Sequence, residues 1–247
     1  MLSAPPPTVP PLIRVVAREY AFAVASILPG GRVTVRLVNA GKEPHYALFV
    51  RLTEGKHAAD FLSWRRSGTA LPSWAALVSG PAPVAPGDST DVLLTLPAGH
   101  YVVLCSYPTG GGAQQHVDLG MARDLDVVDR HVDTADPPAS ITLELSDSAF
   151  RLSSAIHAGP TVVTVENRGT RVQQALITRL RDGVALPDEL HWFDSGFHNR
   201  RPGIPSGGVL RVEPGERYLI RRTFTPGRYA LLSHASGPWQ TLEFVVR

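Results

Sequence analysis

Apolar residues occur along this chain in short runs, alternating with polar ones or continuous over four to eight positions. In the first half such runs cover residues 13–17, 33–38, 46–52, 92–96 and 101–105. In the second half they cover 141–145, 162–165, 175–180, 218–223 and 229–232. Pro-Gly, Ala-Gly and Asn-x-Gly turns bound them, which is the punctuation of β-strands. Two segments break the pattern. Residues 58–64 and 186–193 place their apolar side chains at helical spacing, so each half is expected to carry one short helix. Many short strands with frequent turn signals predict an all-β sandwich architecture.

The two halves are copies of each other. The segment starting at Ala21 aligns without a gap on the one starting at Ala149, an offset of 128 residues. The same offset carries Asn39 to Asn167, Gly41 to Gly169, Trp64 to Trp192, Pro86-Gly87 to Pro214-Gly215 and Tyr101 to Tyr229. A period this long repeats a whole domain, not a solenoid unit. The expected organisation is an extended proline-rich arm over residues 1–12, a first domain over 13–128, a polar linker over 129–140 and a second domain over 141–247.

Composition removes several functions. Lys and Arg total 24 against 22 Asp and Glu, a net charge of +2, so no basic stripe is available for reading phosphates and no nucleic-acid partner is expected. Only Lys42 and Lys56 are lysines; Arg supplies the remaining cations and favours fixed, forked contacts. A single cysteine excludes an internal disulfide and any Cys-x-x-Cys pair. No P-loop, Gly-x-Ser-x-Gly or dinucleotide-binding glycine motif occurs. No stretch reaches the ~20 apolar residues of a membrane helix, so no transmembrane segment is expected, and the N-terminus shows no secretory signal. The Arg200-Arg201 and Arg221-Arg222 pairs read as a solvated face. His57 and His100, like most of the nine histidines, show no His-x-His or His-x-x-x-His pairing and read as solvated or hydrogen-bonded.

The chemistry lies where the copies differ. His45 in copy one is Gln173 in copy two, and Cys105 is Ser233. After Cys105 comes a loop with His116 and Met121; copy two shortens this loop by about ten residues, has no counterpart of His116 and brings Trp239 to the place of Met121. Two segments, Asn39-x-Gly41-x-x-x-His45 and Cys105…His116-x4-Met121, resemble the ligand motifs of the cupredoxins, copper proteins of the plastocyanin and azurin type. The resemblance implies two tandem Greek-key β-sandwich domains. It implies copper held by His45, Cys105 and His116, with Met121 axial, a donor set suited to a metal cycling between two oxidation states. Tyr46 and Leu104 would stand beside the metal. Ten residues separate Cys105 from His116, more than the few the family usually has, and Gly110, Gly111 and Gly112 are among them. Without copper, Cys105 would be a small core residue and Met121 packing.

Two functions follow from the resemblance: type 1 copper binding for electron transfer or copper handling, or a metal-free accessory subunit stabilising a respiratory or photosynthetic membrane complex. Either implies a periplasmic or extracellular location and a redox protein or membrane complex as partner. Multicopper oxidases and nitrite reductases share the tandem layout but place His-x-His pairs between domains. None occurs here, so the chain is expected not to be an enzyme.

Overall fold

Alternation along the first strands decides which face is inside. In a computed structural model, β1 (Leu12–Arg18) buries Ile13, Val15 and Ala17 while the intervening side chains face out. The structure describes residues 9–68, 70–110, 112, 114–130, 134–234 and 237–247. Residues 1–8 of the expected arm and 131–133 of the expected linker lie outside them. The first half continues with β2 (Ala21–Ala23), β3 (Ile27–Pro29), β4 (Gly31–Asn39), β5 (Leu48–Leu52), α1 (Ala58–Ser67), β6 (Ala75–Ser79), β7 (Ser89–Leu96), β8 (Gly99–Leu104) and β9 (Ala122–Val128). The second half carries β10 (Ile141–Leu145), β11 (Phe150–Leu152), β12 (Gly159–Asn167), β13 (Gln173–Leu180), α2 (Leu186–Asp194), β14 (Ile204–Val212), β15 (Arg217–Phe224), β16 (Gly227–Ser233) and β17 (Gln240–Val246). The 128-residue offset maps β4 onto β12 and β7 onto β15 end to end, and α1 and α2 start one offset apart.

Each helix is closed at its start by an aspartate. Asp60 accepts from the His57 amide at 3.0 Å and Asp188 from the Ala185 amide at 2.8 Å. α1 ends at Gly68, whose φ of 68° is left-handed.

An eight-stranded sheet, ordered β11-β10-β12-β15-β7-β4-β1-β2, runs through both halves. A five-stranded sheet, β3-β9-β8-β5-β6, covers it in the first half, and a four-stranded sheet, β14-β13-β16-β17, in the second. The result is two β-sandwiches that share one sheet, the tandem sandwich architecture expected from the repeat. β7 is buried on both faces from Thr90 to Leu94, as a strand at the middle of a covered sheet must be. One apolar cluster is continuous across the halves, from Val15, Val35 and Leu94 to Leu143, Val165 and Ile220.

The halves join at two seams, and both pair a residue with its own counterpart. In β7–β15, Val92 faces Ile220. In the second seam, residues 80–85 run against β14: the Ala82 amide donates to the Gly208 carbonyl at 3.0 Å, Leu210 to Gly80 at 3.0 Å and Gly207 to Pro83 at 2.8 Å, with Pro81 opposite Val209. The junction is therefore a pseudo-twofold, isologous one. Asp91 fixes the first seam, accepting from Arg36 at 2.7 and 2.8 Å and from Arg221 at 3.0 and 2.8 Å.

Of the two arginine pairs, Arg200 and Arg221 are exposed as expected, but Arg201 and Arg222 are not part of a solvated face. Arg201 is buried against Trp192 and donates to Glu189 at 2.6 Å and to the Tyr107 hydroxyl at 3.2 Å, while Arg222 is buried beside Asp88. The forked guanidinium ties elements together here, where a lysine would have stayed in water.

Candidate metal centre

The first element of the site is a turn that both copies own. Asn39 Oδ1 accepts from the Gly41 amide at 2.9 Å, and Asn39 Nδ2 donates to the Glu43 and Val84 carbonyls at 2.8 and 2.9 Å. Asn167 does the same with Gly169, Arg171 and Val212. The Asn-x-Gly motif is thus a backbone clamp. It delivers position 45 to the sandwich interior whether that position is a ligand or not. Gly41 is required for space: a Cβ there would stand 2.8 Å from His45 Nε2.

Cys105 follows β8, is fully buried, and accepts at Sγ from the Tyr46 amide at 3.4 Å. The long interval to His116 is a small hairpin. The His116 amide donates to the Tyr107 carbonyl at 2.9 Å, Pro108 pairs with Gln115, and the Thr109 amide donates to Gln114 at 2.9 Å. Gly112 adopts φ 74° at its tip, a value that favours glycine. The insertion is paired off, and His116 returns beside Cys105. A 3-10 turn, His116–Leu119, then brings Met121 back, its amide on the His116 carbonyl at 3.0 Å and its carbonyl accepting from Cys105 at 3.2 Å. Met121 is fully buried.

The four expected ligand positions thus occupy one end of the first sandwich. His45 Nδ1 and His116 Nδ1 stand 3.0 Å apart, and Cys105 Sγ is 3.6 Å from His116 Nδ1. His45, Cys105 and His116 each offer one ligand atom, and these atoms lie within 4.8 Å of one another. Two nitrogens and a sulfur around a common ion, at bond lengths of ~2.0 and ~2.3 Å, stand roughly 3.5 and 3.7 Å apart in a trigonal plane. Two imidazole Nδ1 atoms and a cysteine sulfur facing each other are donors of the types a copper or zinc ion takes, once the sulfur gives up its proton.

The outer nitrogens meet carboxylates, which the sequence reading did not single out. His116 Nε2 lies 3.0 Å from Glu43 Oε2; His45 Nε2 lies 3.6 Å from Glu19 Oε1 and has no hydrogen-bond partner. Glu43 is held by the Gly110 amide at 3.0 Å and the Tyr20 hydroxyl at 3.3 Å. Burial pushes the His45 imidazole down to about 4, with His116 adding to the shift, and lowers His116 as well, so both rings are neutral donors near pH 7. Burial raises the Cys105 thiol to about 12. Burial opposes ionisation of Glu19, but the Lys42 and Glu43 amides outweigh it and hold the carboxyl at about 2. The sequence signal for Glu43 was its place inside the Asn39–His45 turn.

Copy two closes the same space with a hydrogen bond. Ser233 Oγ donates to Gln173 Oε1 at 2.9 Å and accepts from the Gln174 amide at 3.0 Å, the counterpart of the Tyr46–Cys105 contact. Trp239 is part-exposed, stacked on His234 with centroids 4.5 Å apart. Between the halves lies a cavity of about 530 Å³. Tyr46 and Ser106 line it from copy one, and their counterparts Gln174 and His234 from copy two.

No protein-family model matches the chain, and no curated protein matches it. Solved structures do. Auracyanin A, a "blue" copper protein from Chloroflexus aurantiacus, covers 48% of this chain and 99% of its own, with 23% identity and a TM-score of 0.34. A Cu-containing nitrite reductase from Thermus scotoductus SA-01 covers 96% of this chain and 61% of its own, with 11% identity and a TM-score of 0.26. A laccase-like multicopper oxidase from Ochrobactrum sp. covers 98% and 64%, with 16% identity and a TM-score of 0.28. The likeness is one of fold. It corrects the expectation that the chain is not an enzyme: the neighbours spanning nearly all of it are a reductase and an oxidase. Missing His-x-His pairs bear on one arrangement of ligands and do not decide whether the chain is an enzyme.

Proposed function

We propose that this chain is an extracytoplasmic copper protein, in which His45, Cys105 and His116 would hold the ion and Met121 would add a fourth donor, serving electron transfer or copper handling. The observation that carries this is the convergence of three buried donor atoms in copy one, where copy two has a mutually hydrogen-bonded Ser233–Gln173 pair. Copper, when bound, supplies one-electron cycling between two oxidation states.

The chain's own residues supply the rest. Glu43 orients His116 through its outer nitrogen, leaving Nδ1 for the metal, and Glu19 stands in the corresponding place behind His45. The Tyr46 amide donates toward the sulfur and stabilises its ionised form. Full burial of His45, Cys105, His116 and Met121 excludes water, and placement around strand ends keeps their reorganisation small. The cavity beside Tyr46 and Ser106 is where a small redox partner or a partner's side chain would approach. A redox protein or membrane complex outside the cytoplasm is the expected partner class.

The test is titration of the purified full chain with Cu(II). An intense visible band from Cys-to-copper charge transfer is expected, at one equivalent, and Cys105→Ser should abolish it while leaving the fold intact, since serine already fills the equivalent place at Ser233. Absence of the band from the native chain, or its survival in Cys105→Ser, would overturn the assignment.

A further inference from the structure

A second cluster of metal-binding side chains stands at the other end of the same strand. His100 lies at the start of β8, so it is separated from Cys105 by five residues of extended chain, or about 17 Å. Across the β8–β9 ladder it faces Asp126, and Asp124 sits on the diagonal. His100 Nδ1 is 2.8 Å from Asp126 Oδ1, and His100 Nε2 is 3.2 Å from Asp124 Oδ1. His57, at the N-terminal boundary of α1, places its ring against that of His100 with centroids 4.8 Å apart, and its Nδ1 3.9 Å from the same Asp124 oxygen. Single donor atoms of His57, His100 and Asp124 all fall within 4.8 Å.

We propose that His57, His100 and Asp124 form a surface site for Zn²⁺, with Asp126 as the positioning residue. When Nδ1–H donates to Asp126, the Nε2 lone pair points at an oxygen of Asp124, which is also a lone-pair donor. Two lone pairs at 3.2 Å repel unless a cation lies between them. A Zn²⁺ with bonds of ~2.0–2.1 Å spaces its tetrahedral ligands about 3.3 Å apart, close to the 3.2 and 3.9 Å found. A carboxylate behind the ligating histidine fixes the tautomer and raises the basicity of the other nitrogen. Asp124 is itself oriented, accepting from the Ala58 amide at 2.7 Å. Three ligands from two strands and a helix start leave the fourth position open to water or to a partner's side chain. Copy two lacks the histidines: Ala185 and Arg228 stand at the offset positions of His57 and His100, Glu243 and Val245 stand at the β17 places of Asp124 and Asp126, and Arg228 pairs with Glu243 at 3.0 Å where copy one sets His100 against Asp124.

The rival occupant of the gap is a proton, with His100 as an imidazolium between two carboxylates. Zn²⁺ titration of the metal-free full chain, read as bound zinc per chain after equilibrium dialysis and by shifts of the histidine ring resonances, separates the two. The His57 and His100 rings should shift together on zinc addition. His100→Gln should lose one equivalent, Asp126→Asn should weaken that equivalent by about 10- to 100-fold, and Cys105→Ser should retain it, so the outcome is independent of the copper centre. Equal zinc stoichiometry in wild type and His100→Gln, or a His100 ring that stays protonated and unshifted under saturating zinc, would overturn the site. Circular dichroism of each variant reports folding; His57→Ala, at an exposed position, serves should His100→Gln misfold, and an unchanged stoichiometry in it would overturn the site equally.

Discussion

His116 is bound on both sides of its ring: Nδ1 toward His45 and Cys105, Nε2 toward Glu43. A Glu43→Gln change keeps the size and removes the charge. We expect copper affinity to fall by about 10- to 100-fold, measured by competition with a chelator, with little change in thermal stability. The convergence of His45, Cys105 and His116 was legible in the sequence because copy two supplies an internal control that keeps the fold and lacks these donors. Glu19 was not legible, since its role depends on the turn folding back over β1. Nor was the His57–His100–Asp124 cluster, whose members meet only through strand register and a helix start.

Both helices and ten strands could be read from hydrophobic spacing; the short β2, β3 and β11, the C-terminal β17, and β6 and β14 were not among the runs read. β6 is only five residues long and β14 carries Pro205, Gly207 and Gly208; β14 is held partly by hydrogen bonds to residues 80–85 of the other half. The glycines beside them are steric necessities. A Cβ at Gly80 would stand 1.8 Å from the Ala47 carbonyl oxygen, and one at Gly208 would stand 1.9 Å from that of Ala175. These are the same contact in the two copies, backbone against backbone, with no side chain to give way. Gly80→Ala and Gly208→Ala should each destabilise by about 1–3 kcal/mol in chemical denaturation. Gly80→Ala should also perturb the copper band, because Ala47 is two residues from His45. The Cys105–His116 interval was opaque for a related reason: a hairpin of Pro, Thr, Gly and Gln has no hydrophobic period to announce it.

The repeat fixed the number of sandwiches, while the way they join came only from the structure. Asp91 is the charged keystone of that junction. Burial pushes its carboxyl up, the Arg36 and Arg221 guanidinium groups outweigh this, and it stays below the usual range. A folded value below the unfolded one of ~3.9 means the contribution is complete above about pH 4 and is lost as pH falls through the folded value. Asp91→Asn should therefore cost about 1–2 kcal/mol at pH 7, modest because both arginines keep access to water. Stability curves of variant and wild type should converge as the solution is acidified toward pH 2.

The β7–β15 pairing also decides which strand prefers which. Across the pseudo-twofold axis, Asp91 meets Arg221 while the symmetric place pairs Leu93 with Leu219. Two copies of β7 joined in this register would set Asp91 against Leu93 twice, burying a carboxylate with no partner across the seam, and two copies of β15 would do the same to Arg221. Each strand is thus a poor mate for itself and a good one for its sibling. Like-with-like pairing of opened edges, β7 on β7 or β15 on β15, is disfavoured, and the complementarity directs β7 to a β15 edge.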